Sequence, residues 1–180
     1  MIILVGPSAS GKTEIAKRLA SEYGIVKAIT HTSRPMRDGE RNGVDYYFVT
    51  KKEFLAMLDR KELVESTFYN GNFYGCSKKE VADDKCIVVD VAGLDHFLEL
   101  QMGRIVAFYL DVDEETRRVR MIGRGDKMED IVKRIENDRV YFDENVKEKC
   151  DIVVPVKDRS IDELAEFIVT QYRKILAKLD

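Results

Sequence analysis

No apolar run in this 180-residue chain approaches the roughly 20 residues that a helix needs to cross a bilayer. The apolar opening from Met1 runs directly into Gly6 and Pro7, without the charged leader and cleavage pattern of an export signal. Cysteine is scarce as well. The three present, Cys76, Cys86 and Cys150, are odd in number, far apart and in no metal-binding spacing. They read as reduced thiols in a cytoplasmic protein. A surplus of one charge is also missing, since 30 Lys and Arg face 33 Asp and Glu for a net charge of −3. That balance gives no general attraction to nucleic acid or to an anionic membrane. Any phosphate site must therefore be a local cluster of positive groups. There is no internal repeat and no low-complexity linker. The length suits a single domain, or one core with small inserted pieces.

What remains is an ordinary globular composition, 44% hydrophobic and 35% charged, with enough apolar content to bury a real core. Ile2–Val5 is a short apolar run ended by glycine, as in a buried strand. Lys12–Tyr23 has helical spacing, with Ile15, Leu19 and Tyr23 on one side and Gly24 closing it. Further strands are expected at 26–29, 46–49, 86–89, 105–110 and 152–154. Helices are expected at 52–58, around Leu94, Phe97, Leu98 and Gln101, at 114–122 and at 128–147. Ser160 should cap a terminal helix with apolar positions from Ile161 to Leu179. Residues 30–42 read as a polar loop. Asn70-Gly71-Asn72, between two strand-like runs, is a strong hairpin signal. Strands alternating with helices predict an α/β fold, a parallel sheet flanked by helices on both faces. The strand-rich segment 31–82 interrupts that alternation as an insertion.

Gly6, Pro7, Ser8, Ala9, Ser10, Gly11, Lys12 and Thr13 fit the pattern G-x-x-x-x-G-K-[ST]. Each fixed position has a reason. Glycines let the backbone wrap a phosphate closely, so that several N–H groups point inward. The helix that follows adds its positive N-terminal end. Lys12 would hold the β- and γ-phosphates of ATP, and the Thr13 hydroxyl would help to bind Mg²⁺. The competing explanation is a glycine-rich turn with an accidental lysine. The position between a strand and a helix argues against it.

The loop that follows the first strand–helix–strand unit holds Arg34 and Arg37, three residues apart and stiffened by Pro35. Two guanidiniums at that spacing could grip one dianion. They could equally be solvated and paired with Asp38 and Glu40 of the same loop. The surrounding residues carry more. Thr32, Arg34, Arg37, Gly39, Glu40, Gly43, Asp45, Tyr46, Phe48 and Val49 reproduce a T-x-R-x-x-R-x-G-E-x-x-G-x-D-Y-x-F-V segment. Glu65 followed by Gly71-Asn72-Phe73-Tyr74-Gly75 matches a second signature, an acidic residue and then G-N-x-Y-G. With both, the chain resembles the guanylate kinase family from about residue 2 to residue 154.

That resemblance implies a P-loop kinase fold with three parts: a core of 1–30, 83–115 and 148–180, a GMP-binding insertion of 31–82, and a helical lid of 116–147. It implies transfer of the γ-phosphoryl group of ATP to GMP or dGMP, with Mg²⁺ and no nucleic-acid or membrane partner. The chain would act as a monomer or small homo-oligomer. Arg34, Arg37, Tyr46 and Tyr74 would hold the GMP phosphate, and Thr30 joins the same site. Glu65 would read the base: a carboxylate only accepts hydrogen bonds, and guanine presents N1–H and N2–H₂ side by side. Cys76 stands where the family has serine or threonine touching that base. Asp90, at the end of an apolar run, is placed for the acceptor or for Mg²⁺, or simply caps the next helix.

Among the arginines of the charged helices, most read as a solvated face paired with neighbouring acids. Arg124 lies between two glycines, and it and Arg134 match the family's lid arginines. With Lys12 and Arg37 they form the expected catalytic set. The chain departs from the family at Ala9 for glycine, at Cys76, at Asp90-Val91-Ala92-Gly93, and at Pro155 near the adenine site. Proteins on this fold that act only as interaction scaffolds are the alternative. They would show a degraded phosphate loop and lost acceptor arginines, whereas Lys12, Arg34, Arg37 and Glu65 are all present here.

Overall fold

The computed structural model describes all 180 residues. In chain order the strands are β1 Ile2–Val5, β2 Val26–Lys27, β3 His31–Thr32, β4 Tyr47–Phe48, β5 Leu63–Tyr69, β6 Asn72–Ser77, β7 Lys85–Val88, β8 Val106–Asp111 and β9 Ile152–Pro155. The helices are α1 Lys12–Tyr23, α2 Lys51–Asp59, α3 Val91–Leu98, α4 Glu114–Gly123, α5 Met128–Tyr141, α6 Glu144–Lys149 and α7 Ile161–Leu176. No helix is long and apolar enough to cross a membrane.

Five strands form one parallel sheet in the order β2-β7-β1-β8-β9. The central strand β1 is apolar throughout, and β7 and β8 are apolar apart from Lys85 and Asp111 at their ends, because both faces are covered. Alternate side chains serve different layers. Ile2 and Leu4 pack with Ile15 and Leu19 of α1 and with Leu164, Ile168 and Tyr172 of α7. Met1, Ile3 and Val5 pack with Leu94 and Phe97 of α3, Tyr109, and Val146 of α6. The terminal helix starts where Ser160 and Glu163 close a reciprocal capping box.

The insertion builds its own sheet, in the order β4-β3-β6-β5. Strands β3 and β4 run parallel, while β6 is antiparallel to β3 and β5. Asn70 and Gly71 both take positive φ, 46° and 77°. This is the two-residue turn that the Asn-Gly signal predicts, and it pairs Tyr69 with Asn72.

Three expectations change. Residues 30–42 are not all loop, since His31 and Thr32 pair with both β4 and β6. The helix expected over 128–147 is two helices. Asp143 accepts the Val146 N–H as a new N-cap, and Phe142 turns inward to pack against the core. Gln101 lies beyond the end of α3, at φ 50°.

Candidate active site

The phosphate loop joins β1 to α1. Gly6 takes φ 148°, and a Cβ there would stand 2.9 Å from the Leu110 carbonyl oxygen on β8. No side chain fits this approach, so glycine is required. Gly11 is the N-cap of α1 and supplies no side-chain cap. The first N–H groups of α1 are left for a ligand, and the helix end is positive. Ala9 takes φ 60°, in the left-handed region. An alanine there is strained by about 1 kcal/mol, where glycine would not be.

Lys12 folds back across this loop. Its Nζ donates to Gly6 O at 2.6 Å, Pro7 O at 2.8 Å and Ser10 Oγ at 3.2 Å. Burial lowers its pKa to about 8, against the pull of Asp138 and with a smaller push from Arg117. Ala9, Ser10, Gly11, Lys12, Thr13, Glu14, Arg120, Arg124 and Ile161 together line a cavity of about 530 Å³. That is the size of a small-ligand site. Gly6 and Ser8 stand behind this wall. Gly6 packs on β8, and Ser8 donates to Asp138 through its N–H at 2.9 Å and its Oγ at 3.2 Å.

Arg124 therefore joins the phosphate loop, and Arg134 is one step removed. The two meet on one carboxylate: Asp126 Oδ2 accepts from Arg124 at 3.0 Å and from Arg134 at 3.2 Å. Arg120 donates to Ala9 O at 3.1 Å. In the sequence Arg120 reads as one of the solvated arginines of the charged helices, yet its spacing of four from Arg124 puts both on one helix face.

On the insertion, Arg34 lies 5.5 Å from the Tyr46 ring and 5.6 Å from the Phe48 ring. Tyr46 meets Tyr74 edge-on at 6.2 Å. Glu40 fills the Arg34 fork with contacts of 2.7 and 3.0 Å, and its carboxylate also accepts the Arg37 N–H at 2.8 Å. Of the two acids open to pairing in this loop, Glu40 takes the role and Asp38 does not. The Arg37 side chain is exposed. Thr30 contributes its carbonyl, which accepts the Tyr47 N–H at 2.9 Å.

Glu65 stands on β5 opposite Cys76. Its Oε1 accepts the Cys76 N–H at 2.9 Å. Burial raises its pKa, the Cys76 N–H opposes that shift, and nearby Asp90 adds to it. The thiol expected at the base edge is instead enclosed: Cys76 is fully buried in the α3-side core. Its thiol faces Ser77 O, and burial pushes its pKa up to about 12. What Cys76 gives the site is its backbone N–H. Asp90 does cap α3, through Oδ1 to the Gly93 N–H at 2.8 Å. It also lines a cavity of about 230 Å³ with Val91, Ala92, Tyr141 and Phe142.

The guanylate kinase profile matches residues 1–171. The chain belongs to the guanylate kinase family. Among its relatives, the guanylate kinase of Anaplasma phagocytophilum is 33% identical, with 84% of this chain and 82% of that protein covered. The guanylate kinase of Schizosaccharomyces pombe is 33% identical, over 81% of this chain and 77% of that one. A crystal structure of guanylate kinase from Anaplasma phagocytophilum superposes with a TM-score of 0.64 at 26% identity, covering 97% of this chain and 84% of that one. The family member described here is thus a nucleotide-binding transferase, a nucleoside monophosphate kinase that uses ATP as phosphate donor.

Proposed function

We propose that the chain moves the γ-phosphoryl group of ATP to GMP, or to dGMP, giving ADP and GDP. One observation carries this reading. The uncapped start of α1, the Lys12 ammonium and the lid arginines Arg120 and Arg124 share one cavity. The acceptor-type groups Arg34, Tyr46, Tyr74 and Glu65 gather separately on the insertion sheet. Two phosphorylated ligands could be held end to end by such a pair of clusters.

ATP phosphates entering the cavity would draw Lys12 Nζ from the Gly6 and Pro7 carbonyls. GMP phosphate would exchange for Glu40 in the Arg34 fork, with Arg37 supplying a second guanidinium. Glu65 would take guanine N1–H and N2–H₂, and Asp90 would lie beside it. Arg124 and Arg134, released from Asp126, would close over the transferred group, stabilise its charge and exclude water. Thr13 places an exposed hydroxyl in the first turn of α1, on the wall of the Lys12 cavity. A hard oxygen ligand there suits Mg²⁺ carried in on ATP. The ion would neutralise charge on the β- and γ-phosphates when bound. The three free thiols fit a reducing, cytoplasmic setting. We assign no nucleic-acid or membrane partner.

A coupled assay of ADP release with GMP, dGMP, AMP, UMP and CMP tests the reading. Turnover with GMP or dGMP well above the other three supports it. A clear preference for another base, or no turnover, overturns it.

A further inference from the structure

Asp138 lies on α5, outside the cavity wall, and takes no part in the roles above. Its Oδ2 accepts the Ser8 N–H at 2.9 Å and Arg117 at 2.7 Å, and its Oδ1 accepts the Ser8 hydroxyl at 3.2 Å. Asp138 and Arg117 are both buried, at 7% and 6% exposure. Residues 8, 117 and 138 come from the phosphate loop, α4 and α5, so this one carboxylate ties the loop to both helices of the lid. We propose that Asp138, locked by Arg117, is a positioning residue that holds the phosphate loop in its ATP-binding shape from the lid side. The inference rests on the kinase reading of the cavity.

The physical case starts from the loop. Ala9 holds a left-handed backbone that alanine does not favour, so the loop needs outside support to stay in it. Lys12 holds the Gly6 and Pro7 carbonyls before it, but Ser8's own N–H and hydroxyl both leave the loop for Asp138. The lid adds two contacts of its own. Arg120 holds the Ala9 carbonyl, and the Ala9 methyl packs on the lid cluster of Met121, Ile131 and Ile135.

A buried carboxylate without a partner would be costly. This one is neutralised by Arg117 and receives three donors. A buried ion pair is weak support for stability, because an apolar pair of similar volume often serves as well or better. A positioning role accounts for an ion pair at this place, because the carboxylate accepts from Ser8 through both of its oxygens while pairing with Arg117, which no apolar pair can do. Holding the loop in shape before ATP arrives removes an ordering cost from binding. The helices that carry Arg120, Arg124 and Arg134 are the ones that supply this hold.

The test compares Asp138→Asn with the double variant Arg117→Leu, Asp138→Leu. The double variant fills the buried space with apolar side chains and leaves no charge unpaired. ATP and GMP dissociation constants are measured by calorimetry, folding by thermal denaturation, and backbone exchange at residues 8–10 by NMR without nucleotide. Positioning predicts that the double variant keeps a melting temperature near that of the parent, binds ATP about tenfold more weakly, and binds GMP within about twofold. Amide exchange at Ser8 and Ala9 should speed up at least tenfold in both variants. A folded double variant with parental ATP affinity overturns the proposal and leaves the ion pair a purely structural feature. If the double variant does not fold, Asp138→Asn decides by the same binding split. Unchanged exchange at Ser8 overturns the tether whatever nucleotide the protein takes. A parent protein that binds no ATP would instead overturn the kinase reading.

Discussion

Glu80 Oε2 accepts the backbone N–H of Ile29 at 3.0 Å, joining residues 51 apart in sequence. Ile29 precedes β3, where the insertion begins, and Glu80 follows β6, where the chain returns to the core. The same carboxylate accepts the Tyr47 hydroxyl at 3.1 Å and lies 3.5 Å from Lys85 Nζ. One nearly buried acid therefore fixes both connections between the insertion and the parallel sheet.

Glu80→Ala removes the acceptor from two donors at once and leaves the Ile29 amide without its partner. A loss of about 2–4 kcal/mol follows, from roughly 1–3 for the Ile29 amide and about 1 for the Tyr47 hydroxyl. At about 2–4 °C per kcal/mol for a chain of this size, the melting temperature should fall by roughly 5–15 °C. Glu80→Gln keeps one accepting oxygen and should lose less than half of that. Thermal denaturation followed by circular dichroism measures both. A drop of under 2 °C for the alanine variant would show that the insertion is anchored elsewhere.

Glu65 is the acceptor-site group whose acidity can be read in kinetics. Reading guanine requires the ionised carboxylate, and burial raises the pKa of that carboxylate. The kcat/KM for GMP should therefore fall on the acid side as pH drops through the raised value. Glu65→Gln removes that part of the acid limb; what survives belongs to GMP itself, whose phosphate titrates near about pH 6. At neutral pH the variant should lose about 100-fold in kcat/KM for GMP with KM for ATP within about twofold, because a glutamine N–H₂ would face a base donor. For folding the sign runs the other way. A carboxyl with a raised pKa adds stability below its unfolded value and loses it as pH rises through the folded value. The glutamine variant should thus melt no lower than the parent at pH 7. Equal loss toward ATP and GMP would remove Glu65 from base reading.

Much of this arrangement is legible in the sequence because it is local. The phosphate loop is eight consecutive residues between a strand and a helix, and the hairpin is announced by Asn70-Gly71. The Ser160 box spans four residues. The rest depends on contacts across the fold. Asp138 reaches Ser8 over 130 residues and Arg117 over 21; on a charged helix it reads as one more solvated acid. The break between α5 and α6 was hidden because Asp143 looks like any polar helix residue until its side chain caps the next turn. Cys76 shows the converse. Its position in the pattern points to the base, but strand pairing brings its N–H to Glu65 and leaves its thiol in the core.

Arg134 and Arg124 share Asp126 and are half exposed, so neither holds the fold together. Exposed pairs of this kind contribute little to stability. Arg134→Ala should therefore melt within about 2 °C of the parent while kcat falls by about 10²–10³, the usual loss for one group that stabilises transition-state charge. The KM for GMP should stay within about twofold. Stopped-flow and steady-state ADP release measure the split. A kcat within threefold of the parent would remove Arg134 from the chemistry.

Lys12 makes the sharpest demand on side-chain shape. Its ammonium satisfies Gly6 O, Pro7 O and Ser10 Oγ together, three acceptors converging on one point. A compact charge with three donors meets that geometry, and a planar guanidinium spreads its donors too widely for it. Lys12→Ala should cut ATP-dependent transfer by about 10³ or more, since it removes a charge aimed at the transferred group. Lys12→Arg keeps the charge and should still recover less than about a tenth of the parental kcat, because the larger head cannot sit between the loop and the phosphates. Both variants should bind GMP nearly as the parent does, since the acceptor cluster lies on another sheet. Calorimetric titration with GMP and a single-turnover assay with labelled ATP check the pair. An arginine variant at full rate would mean that charge alone suffices and that the compact shape of the ammonium has no part in transfer.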